Sequence, residues 1–425
     1  MKTVKFYTLG CKVNLYETET LKSMFEKEGY LPVDSENADI IVINTCTVTS
    51  TGDKKSRQLI RRAKRENPGS IVAVVGCYAQ VAPDEVSKIP EADIIAGTAD
   101  KFKILDYIKQ YDGFQINAVN NEISAHYDDM FSFSQSRTRA MLKIQDGCEN
   151  YCSYCIIPYA RGPIRSRPCE SVAKEAKILA EKGFTEVVLV GIHLSSYGRD
   201  INSSLTEAVR TINEVEGIKR IRLGSLEPLS VDRKFARELS GIAKVCPSFH
   251  VSMQSGCDET LRRMNRKYTS EQYLQSLENL REFFPGCAVS TDVMVGFPGE
   301  SDYEFEKTLK TISKARFASL HVFQYSRRKG TPAADMKNQV SEDIKALRSQ
   351  KVIALGEKLK EQYCKDYINQ IKEVLFEDKT GNFYEGFTEN YIRVRAVGSN
   401  LKGQYKNVEI LEYKDGYCVG EIKSF

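Results

Sequence analysis

The sequence lacks any apolar run near the roughly 18–20 residues that a membrane-spanning helix needs. Its first residues carry charge but lack the apolar segment of a secretory signal peptide. Internal repeats and low-complexity tracts are also missing. We therefore expect a cytoplasmic protein with no membrane partner, in a compartment where thiols stay reduced.

The sequence also has little net charge, +4 over 425 residues. Overall charge therefore does not identify a nucleic-acid-binding protein. The basic residues are nevertheless grouped. One such group is usually a solvated face, but three on one chain favour a polyanionic partner. The three groups are Lys54, Lys55, Arg57, Arg61, Arg62, Lys64 and Arg65; Arg262, Arg263, Arg266 and Lys267; and Arg327, Arg328 and Lys329.

Residues 1–120 alternate apolar strands with helices, a pattern that predicts a parallel α/β sheet. The predicted strands are Val4–Leu9, Asp39–Asn44, Ile71–Val75 and Asp93–Ala96, and the predicted helices are Leu15–Glu28 and Lys54–Glu66. A polar stretch, Asn120–Arg137, is then predicted to be a linker.

From Ala140 six further strand–helix units follow. The predicted strands are Met141–Gln145, Glu186–Val190, Lys219–Leu223, Phe249–Gln254, Ala288–Val295 and Ser319–Gln324, with helices near 170–183, 203–216, 232–244, 270–284 and 301–315. Such a series predicts a parallel barrel or partial barrel, with the active site at the carboxyl ends of the strands.

The last part of the chain begins with a charged helix, Glu342–Tyr367. Residues 370–425 then read as short strands broken by glycines, which predicts a small antiparallel barrel. The length of the chain fits about three domains. We expect their limits at 1–120, 138–365 and 366–425.

Twelve cysteines in a reducing compartment favour metal or redox use over a disulfide framework. Cys148, Cys152 and Cys155 have C-x3-C-x2-C spacing. Three thiolates on one loop suit three corners of a [4Fe-4S] cube and leave one iron open for a chelating substrate. A partial zinc site or buried thiols are the alternatives, but zinc sites usually pair two C-x2-C elements and the sequence has no second one.

Cys11, Cys46 and Cys77 each follow a predicted strand of the first region. The carboxyl ends of parallel strands meet at one edge of an open α/β sheet, where ligands bind. From this placement alone, a second metal site and three separate buried thiols are equally open. The remaining six cysteines and the four histidines have no ligand spacing, and we interpret them as structural.

The segment Gly147–Arg167 (GCENYCSYCIIPYARGPIRSR), with Tyr154 before its last cysteine, resembles that of the methylthiotransferases, a family of radical S-adenosylmethionine enzymes. The resemblance covers the whole chain. It implies a flavodoxin-like N-terminal domain, a partial (β/α)6 radical-SAM barrel and a C-terminal TRAM β-barrel. It also implies S-adenosyl-L-methionine and two [4Fe-4S] clusters. One cluster would be held by Cys148, Cys152 and Cys155, and the other by Cys11, Cys46 and Cys77.

Three segments resemble the branch of this family that acts on threonylcarbamoyladenosine: TLGCKVN at Thr8–Asn14, GIHLSSYG at Gly191–Gly198, and SLEP at Ser225–Pro228. One departure is Gln324, where that branch is expected to carry proline. The resemblance implies conversion of N6-threonylcarbamoyladenosine beside the anticodon, at position 37 of tRNA, to its 2-methylthio derivative. The alternatives are isopentenyladenosine in tRNA, an aspartate of a ribosomal protein, and a non-enzymatic iron–sulfur RNA-binding protein.

The resemblance also implies partners and contacts. The partners are the anticodon arm of tRNA and an electron donor such as flavodoxin or ferredoxin. Tyr154 would contact the adenine of S-adenosylmethionine, Glu227 its ribose, and Gly191 would allow close backbone approach. Each of these three residues is nearly as consistent with a packing or capping role. We assign no side chain as catalytic.

Overall fold

The computed structural model describes residues 1–34, 37–132, 135 and 137–423. Over this part of the chain it contains the three regions expected from the sequence. None of the helices described combines the length and the apolar character needed to cross a membrane.

The first region is a six-stranded sheet in which every pair of neighbours is parallel. Its elements are β1 (Thr3–Thr8), α1 (Lys12–Lys27), β2 (Leu31–Pro32), β3 (Ile40–Thr45), α2 (Ser50–Glu66), β4 (Ile71–Gly76), α3 (Cys77–Val81), α4 (Pro83–Ser87), β5 (Ile94–Ala96), α5 (Ile104–Gln110) and β6 (Ile116–Asn117). The strand order β2-β1-β3-β4-β5-β6 is flavodoxin-like and reverses between β1 and β3. In such sheets ligands bind outside the carboxyl ends of the strands at this reversal.

The second region is an open barrel of parallel strands surrounded by helices, with one short antiparallel pair of strands beside it. Its elements are β7 (Ala140–Lys143), β8 (Gln145–Asp146), α6 (Ile157–Arg161), β9 (Arg165–Ser166), α7 (Cys169–Glu181), β10 (Glu186–Val190), α8 (Leu205–Asn213), β11 (Arg220–Leu223), β12 (Ser225–Leu226), α9 (Arg233–Ser240), β13 (Ser248–Val251), α10 (Asp258–Arg263), α11 (Ser270–Phe283), β14 (Ala288–Val295), α12 (Asp302–Ala315) and β15 (Ser319–Gln324). The sheets β11-β10-β7 and β12-β13-β14-β15 are joined by a parallel bridge between Ile221 and Val245. One large apolar core fills the space between strands and helices.

The third region follows helix α13 (Glu342–Lys365), which packs Gly356 against Leu320 of β15. Its five strands close into a small barrel in the order β16-β17-β18-β20-β19. They are β16 (Ile371–Thr380), β17 (Phe383–Thr388), β18 (Arg393–Val397), β19 (Tyr405–Lys414) and β20 (Tyr417–Ile422). Neighbours are antiparallel except β18 and β20, which pair in parallel.

The predicted fold class is confirmed, with local differences. The predicted strand Phe249–Gln254 is too long, because β13 ends at Val251 and Gln254 turns into a left-handed conformation with φ 61°. The predicted linker Asn120–Arg137 contains no helix or strand among its described residues, and residues 133, 134 and 136 lie outside them. The domain limits stay a prediction.

Buried polar contacts join the three regions. The hydroxyl of Tyr16 in α1 donates to Glu175 of the barrel at 2.9 Å. The Arg328 guanidinium, just beyond β15, binds Asp53 of the first region at 2.6 Å. Arg222 of β11 donates to the Thr388 carbonyl of the C-terminal barrel at 2.8 Å. The carboxyl ends of the first sheet and of the open barrel are therefore held in fixed relation.

Candidate functional site

The cysteine loop of the barrel begins directly after β8. Gly147 has a φ of 75°, and a Cβ there would lie 1.7 Å from the carbonyl oxygen of Pro163, so only glycine fits. The Cys148 amide donates to the Gly162 carbonyl at 3.1 Å, and the Cys155 amide donates to the Cys152 carbonyl at 2.9 Å. These bonds fold the loop so that its three thiols interact electrostatically with one another.

An arginine from a distant segment completes this loop. Arg266, which follows α10 and is almost fully buried, donates to the Sγ of Cys152 at 3.3 Å. The same guanidinium binds both carboxylate oxygens of Glu227 at 2.7 and 2.9 Å. Glu227, directly after β12, thus lies beside the cysteine loop. A cation bound to a sulfur favours the thiolate that a metal ligand must become.

Tyr154 and Gly191 both have packing contacts of their own. The Tyr154 ring meets the Phe297 ring edge-on, with 6.4 Å between centroids, within a small apolar cluster. A Cβ on Gly191 would lie 2.9 Å from the side-chain oxygen of Gln145. Close packing therefore accounts for glycine at position 191, and the contacts of Tyr154, Gly191 and Glu227 with a cofactor stay predictions.

The cysteines of the first region lie at one edge of the sheet, as expected. Cys11 follows β1, Cys46 follows β3, and Cys77 follows β4. The Cys46 thiol interacts electrostatically with those of Cys77 and Cys11. Gly10, with a φ of 101°, allows this approach, because a Cβ there would lie 2.6 Å from the Sγ of Cys46. The edge includes the β1–β3 reversal, where this fold binds ligands.

Sequence reasoning missed a barrel side chain that reaches the cysteines of the first region. Arg161 lies on α6, just after the cysteine loop of the barrel, and is fully buried. Its Nε donates to the Sγ of Cys77 at 3.2 Å, and its two Nη groups donate to Glu17 at 2.5 Å and Asn14 at 2.6 Å. Arg161 stands in the segment that carries the family resemblance, but nothing local indicates its distant partners.

Arg161 belongs to a buried network of charges. Glu17 also binds Lys101 at 2.5 Å and Lys143 at 2.8 Å. Asp146 binds Lys143 at 2.6 Å and lies 3.4 Å from Arg165. Burial alone would raise the pKa of Glu17, but the neighbouring Arg161, Lys101 and Lys143 hold it well below its usual value. Four cations against two carboxylates leave an excess of positive charge beside Cys77, which suits thiolate ligands.

The two cysteine trios differ from the most compact groups of potential metal ligands in the structure. In the described part of the chain, ligand atoms all within 4.8 Å of one another occur in His250, Asp292 and His321, and in Cys257, Glu259 and Glu304. Neither cysteine trio belongs to these groups. Thiolates at about 2.3 Å from one tetrahedral zinc would lie about 3.8 Å apart. The thiols of each trio therefore do not all lie within 4.8 Å of one another, whereas in an iron–sulfur cluster each thiolate binds a different iron.

Burial affects the protonation of these thiols. It raises the pKa of Cys46 and of Cys148 to about 11, and that of Cys155 to about 12. The free thiols are therefore protonated at neutral pH, and metal binding must release their protons.

The three basic groups predicted from the sequence differ in exposure, and the one on α2 is the most open. On α2, the side chains of Lys54, Lys55, Arg61, Arg62 and Arg65 are exposed. In the other two groups Arg262, Lys267, Arg327 and Lys329 are exposed, but one arginine of each group is turned inward. Arg266 is buried against Glu227, and Arg328 is buried against Asp53. These arginines hold the site together instead of facing a polyanion.

Comparisons with known proteins agree with the two regions that carry the cysteines. Residues 142–312 match the model described as Radical SAM superfamily, and residues 3–97 match Uncharacterized protein family UPF0004. The threonylcarbamoyladenosine tRNA methylthiotransferase MtaB of Bacillus subtilis is 45% identical, over 99% of this chain and 96% of its own. The MtaB of Thermotoga maritima is 36% identical over 96% and 94%. A tRNA-2-methylthio-N(6)-dimethylallyladenosine synthase of Clostridium botulinum is 34% identical over 97% and 95%.

Solved structures support the fold. The radical S-adenosylmethionine methyltransferase TsrM of Kitasatospora setae, with cobalamin and a [4Fe-4S] cluster bound, superposes with a TM-score of 0.59 at 16% identity. The match covers 78% of this chain and 77% of TsrM. The cobalamin-dependent enzyme OxsB gives 0.55 at 14% identity, over 84% and 56%. Since the sequence relatives cover nearly the whole chain, this protein belongs to the methylthiotransferase family of radical S-adenosylmethionine enzymes.

Proposed function

We propose that the protein converts N6-threonylcarbamoyladenosine beside the anticodon of tRNA into its 2-methylthio derivative. The observation that carries the proposal is the contact between the two cysteine-bearing regions, in which Arg161, on the helix after the barrel trio, donates to Cys77 of the other trio. The named activity of the Bacillus subtilis and Thermotoga maritima relatives supplies the substrate. The matches cover 96% and 94% of these two relatives.

The family uses S-adenosylmethionine and two [4Fe-4S] clusters. We assign one cluster to Cys148, Cys152 and Cys155, and the other to the trio that follows β1, β3 and β4. When bound, these cofactors supply the reductive cleavage of S-adenosylmethionine, hydrogen removal from the base and the methylthio group, which amino-acid side chains cannot supply. The thiols and their arginines fit this assignment in spacing and in charge.

The residues around the barrel loop would position S-adenosylmethionine. Glu227 is held in place by Arg266 and by its backbone amide, which donates to the Ser195 hydroxyl at 2.8 Å. Its carboxylate is only partly buried, so it can accept a hydrogen bond from a ribose hydroxyl. Tyr154 offers its ring beside the last two cysteines to the adenine. Gly191 would allow S-adenosylmethionine to approach the backbone closely, although Gln145 already fills the side on which a Cβ would project.

The exposed basic face of α2 would bind the tRNA backbone. Phosphate contacts position a nucleic acid without reading its sequence. A base in the anticodon loop can be turned out toward the cysteines at modest cost, because it is not paired. Reductive cleavage also requires an electron, so we include a donor such as flavodoxin or ferredoxin, and place the reaction in the cytoplasm with its substrate.

Mass spectrometry of tRNA nucleosides tests this function. Cells lacking the gene should lose 2-methylthio-threonylcarbamoyladenosine and accumulate the form without the methylthio group. The wild-type gene should restore it, and Cys148→Ala or Cys46→Ala should not. Loss of the 2-methylthio group from isopentenyladenosine, or from a ribosomal-protein aspartate, would refute the proposed substrate. Absence of 5′-deoxyadenosine from reduced, cluster-loaded protein with S-adenosylmethionine would refute radical chemistry altogether.

A further inference from the structure

Two histidines that have no ligand spacing in the sequence are brought together by the sheet of the open barrel. His250 lies on β13, and His321 lies two strands further on, on β15. Asp292 of β14 stands between them. One ligand atom from each of the three residues lies within 4.8 Å of the others. The three side chains therefore form a compact group that includes none of the six cysteines assigned to the clusters.

The strand register explains why these side chains meet. His321 is paired directly with Asp292, and His250 is paired with Ser290, two residues before Asp292. Directly paired residues share a face of the sheet, as do alternate residues of one strand. The opposite face of β14 includes Val293, which is buried in the core between strands and helices. The three side chains therefore face the inside of the open barrel.

The same inner face leads to the cysteine loop of the barrel. Met294 is the next residue of β14 on this face, and it packs in one apolar cluster with Tyr154 of that loop. The group thus lies one step nearer the amino ends of the strands than the cysteine loop. The His321 side chain is 56% exposed and that of Asp292 is 27% exposed, so the group is accessible from the barrel interior.

The distances within the group match those around a single metal ion. The Nδ1 of His321 lies 3.2 Å from Oδ1 of Asp292, and the Nε2 of His250 lies 3.4 Å from Oδ2. Nitrogen and oxygen ligands about 2.1 Å from one tetrahedral zinc lie about 3.4 Å apart. Two imidazoles and one carboxylate are a recurring ligand set of zinc and iron(II) sites that keep open coordination positions.

The hydrogen bonds of His250 also suit a metal ligand. Its Nδ1 lies 3.1 Å from the Ser290 hydroxyl, which itself lies 3.5 Å from the Phe249 carbonyl oxygen. A hydroxyl that donates to this carbonyl accepts from Nδ1–H, which leaves the lone pair of the neutral imidazole on Nε2. That Nε2 is buried beside the Asp292 carboxylate and has no well-aligned hydrogen-bond partner among the described residues. Metal-ligating histidines are oriented in this way, by donating their other ring N–H.

The carboxylate of Asp292 is paired differently from those of the other compact group. In that group Glu304 binds Arg263 at 2.8 Å, and Glu259 binds Lys307 at 3.2 Å. Within the described part of the chain, Asp292 forms ion pairs with its two histidines and with no lysine or arginine. With both imidazoles neutral, the group carries one uncompensated negative charge, which a bound metal cation would balance.

We propose that His250, Asp292 and His321 form a binding site for a divalent transition-metal ion such as zinc, inside the open barrel. The three side chains supply the protein ligands, and water or an oxygen donor of a molecule in the barrel completes the coordination. The site is additional to the two clusters, and it does not depend on which base the enzyme modifies.

Zinc binding to cluster-loaded protein tests this site. The protein is freed of loosely bound metal with a weak chelator, and calorimetry with zinc is combined with zinc and iron analysis of the same samples. We expect wild-type protein to bind one zinc ion at this site without losing iron. Ser290→Ala removes only the hydrogen-bond acceptor of His250 and should weaken zinc binding roughly 10–100-fold. His250→Gln, Asp292→Asn and His321→Gln each remove a ligand and should weaken it more.

Matched controls separate this site from other places where zinc could bind. His126→Gln removes an exposed histidine before the barrel, and Glu259→Gln removes a carboxylate of the other compact group. Neither should change the affinity for zinc. His321→Gln is the decisive variant, because its largely exposed side chain can be replaced without loss of thermal stability.

Three results would overturn the proposal. The first is the absence of bound zinc from cluster-loaded wild-type protein. The second is zinc binding that His321→Gln leaves unchanged, since the ion would then be bound by other residues. The third is zinc binding that occurs only as iron is lost, since the ion would then have replaced a cluster at the cysteines.

Discussion

The two cysteine trios to which we assign the clusters are assembled by different structural routes. Cys148, Cys152 and Cys155 lie within one short loop, whereas Cys11, Cys46 and Cys77 follow three separate strands. The local site depends on the turns of a single segment. The other site exists only after the sheet has formed. The comparison shows why one was evident from spacing and the other required the topology.

Each trio nevertheless has one arginine that donates to one sulfur. Arg161 reaches Cys77 at 3.2 Å, and Arg266 reaches Cys152 at 3.3 Å. Their surroundings differ, because Arg161 is fully buried in a network of charges, and Arg266 is anchored by the partly exposed Glu227. Arg161 therefore supports both the fold and the cysteines of the first region, whereas Arg266 mainly supports the cysteine loop of the barrel.

Replacing Arg161 should have the largest effect. Arg161→Met removes one of the three buried cations that bind Glu17 and the donor that binds the Asn14 side-chain oxygen, and breaking a buried charge pair from one side costs about 3–5 kcal/mol. We expect a fall of that size in the free energy of unfolding and loss of the auxiliary cluster, measured by chemical denaturation and iron analysis. Unchanged stability would contradict the structural role of the network.

Replacing the glycine beside each cysteine trio should disrupt one site and leave the other intact. Gly147→Ala places a Cβ 1.7 Å from the Pro163 carbonyl and should disrupt only the barrel loop. Gly10→Ala places one 2.6 Å from the Sγ of Cys46 and should disrupt only the other site. Each variant should retain about half of the wild-type iron. Gly183→Ala, where a Cβ meets nothing, is the control for replacing a positive-φ glycine.

Replacing Arg266 should have a smaller effect on stability than replacing Arg161. In Arg266→Met, Glu227 loses its partner but keeps partial access to water. We expect a loss of about 1–3 kcal/mol and a larger loss of S-adenosylmethionine cleavage, with the auxiliary cluster intact. 5′-Deoxyadenosine formation and denaturation together measure the two effects. A loss of stability equal to that of Arg161→Met would remove the proposed distinction.

Reversing the charge on α2 should have the smallest effect on cluster content, but it should clearly weaken RNA binding. The double change Arg61→Glu and Arg65→Glu should weaken tRNA binding. It should also reduce the steepness of the slope of log K against the logarithm of the salt concentration by about one to two. Exposed Lys351 and Lys358 on α13, changed to glutamate, provide the matched control. Equal effects of the two pairs would show that overall charge alone matters.

The sequence predicted the longer strands of the first two regions, and the placement of Cys11, Cys46 and Cys77 after β1, β3 and β4, but not the short strands β2, β6, β8, β9 and β12. It could not predict the arginines, because their partners are far away in the chain: Arg161 and Cys77 are 84 residues apart, and Arg328 and Asp53 are 275 apart. A run of basic residues looks the same whether it faces water or a buried carboxylate. For that reason the sequence did not separate Arg266 and Arg328 from the exposed members of their basic groups, and only tertiary packing distinguishes these cases.

The most direct measurement of the central claim is iron–sulfur spectroscopy of two triple variants. In one, Cys148, Cys152 and Cys155 become alanine, and in the other, Cys11, Cys46 and Cys77 do. Each should retain one [4Fe-4S] cluster, and only the second should still cleave S-adenosylmethionine to 5′-deoxyadenosine, without forming the methylthio product. Wild-type iron content in either folded variant would contradict the account.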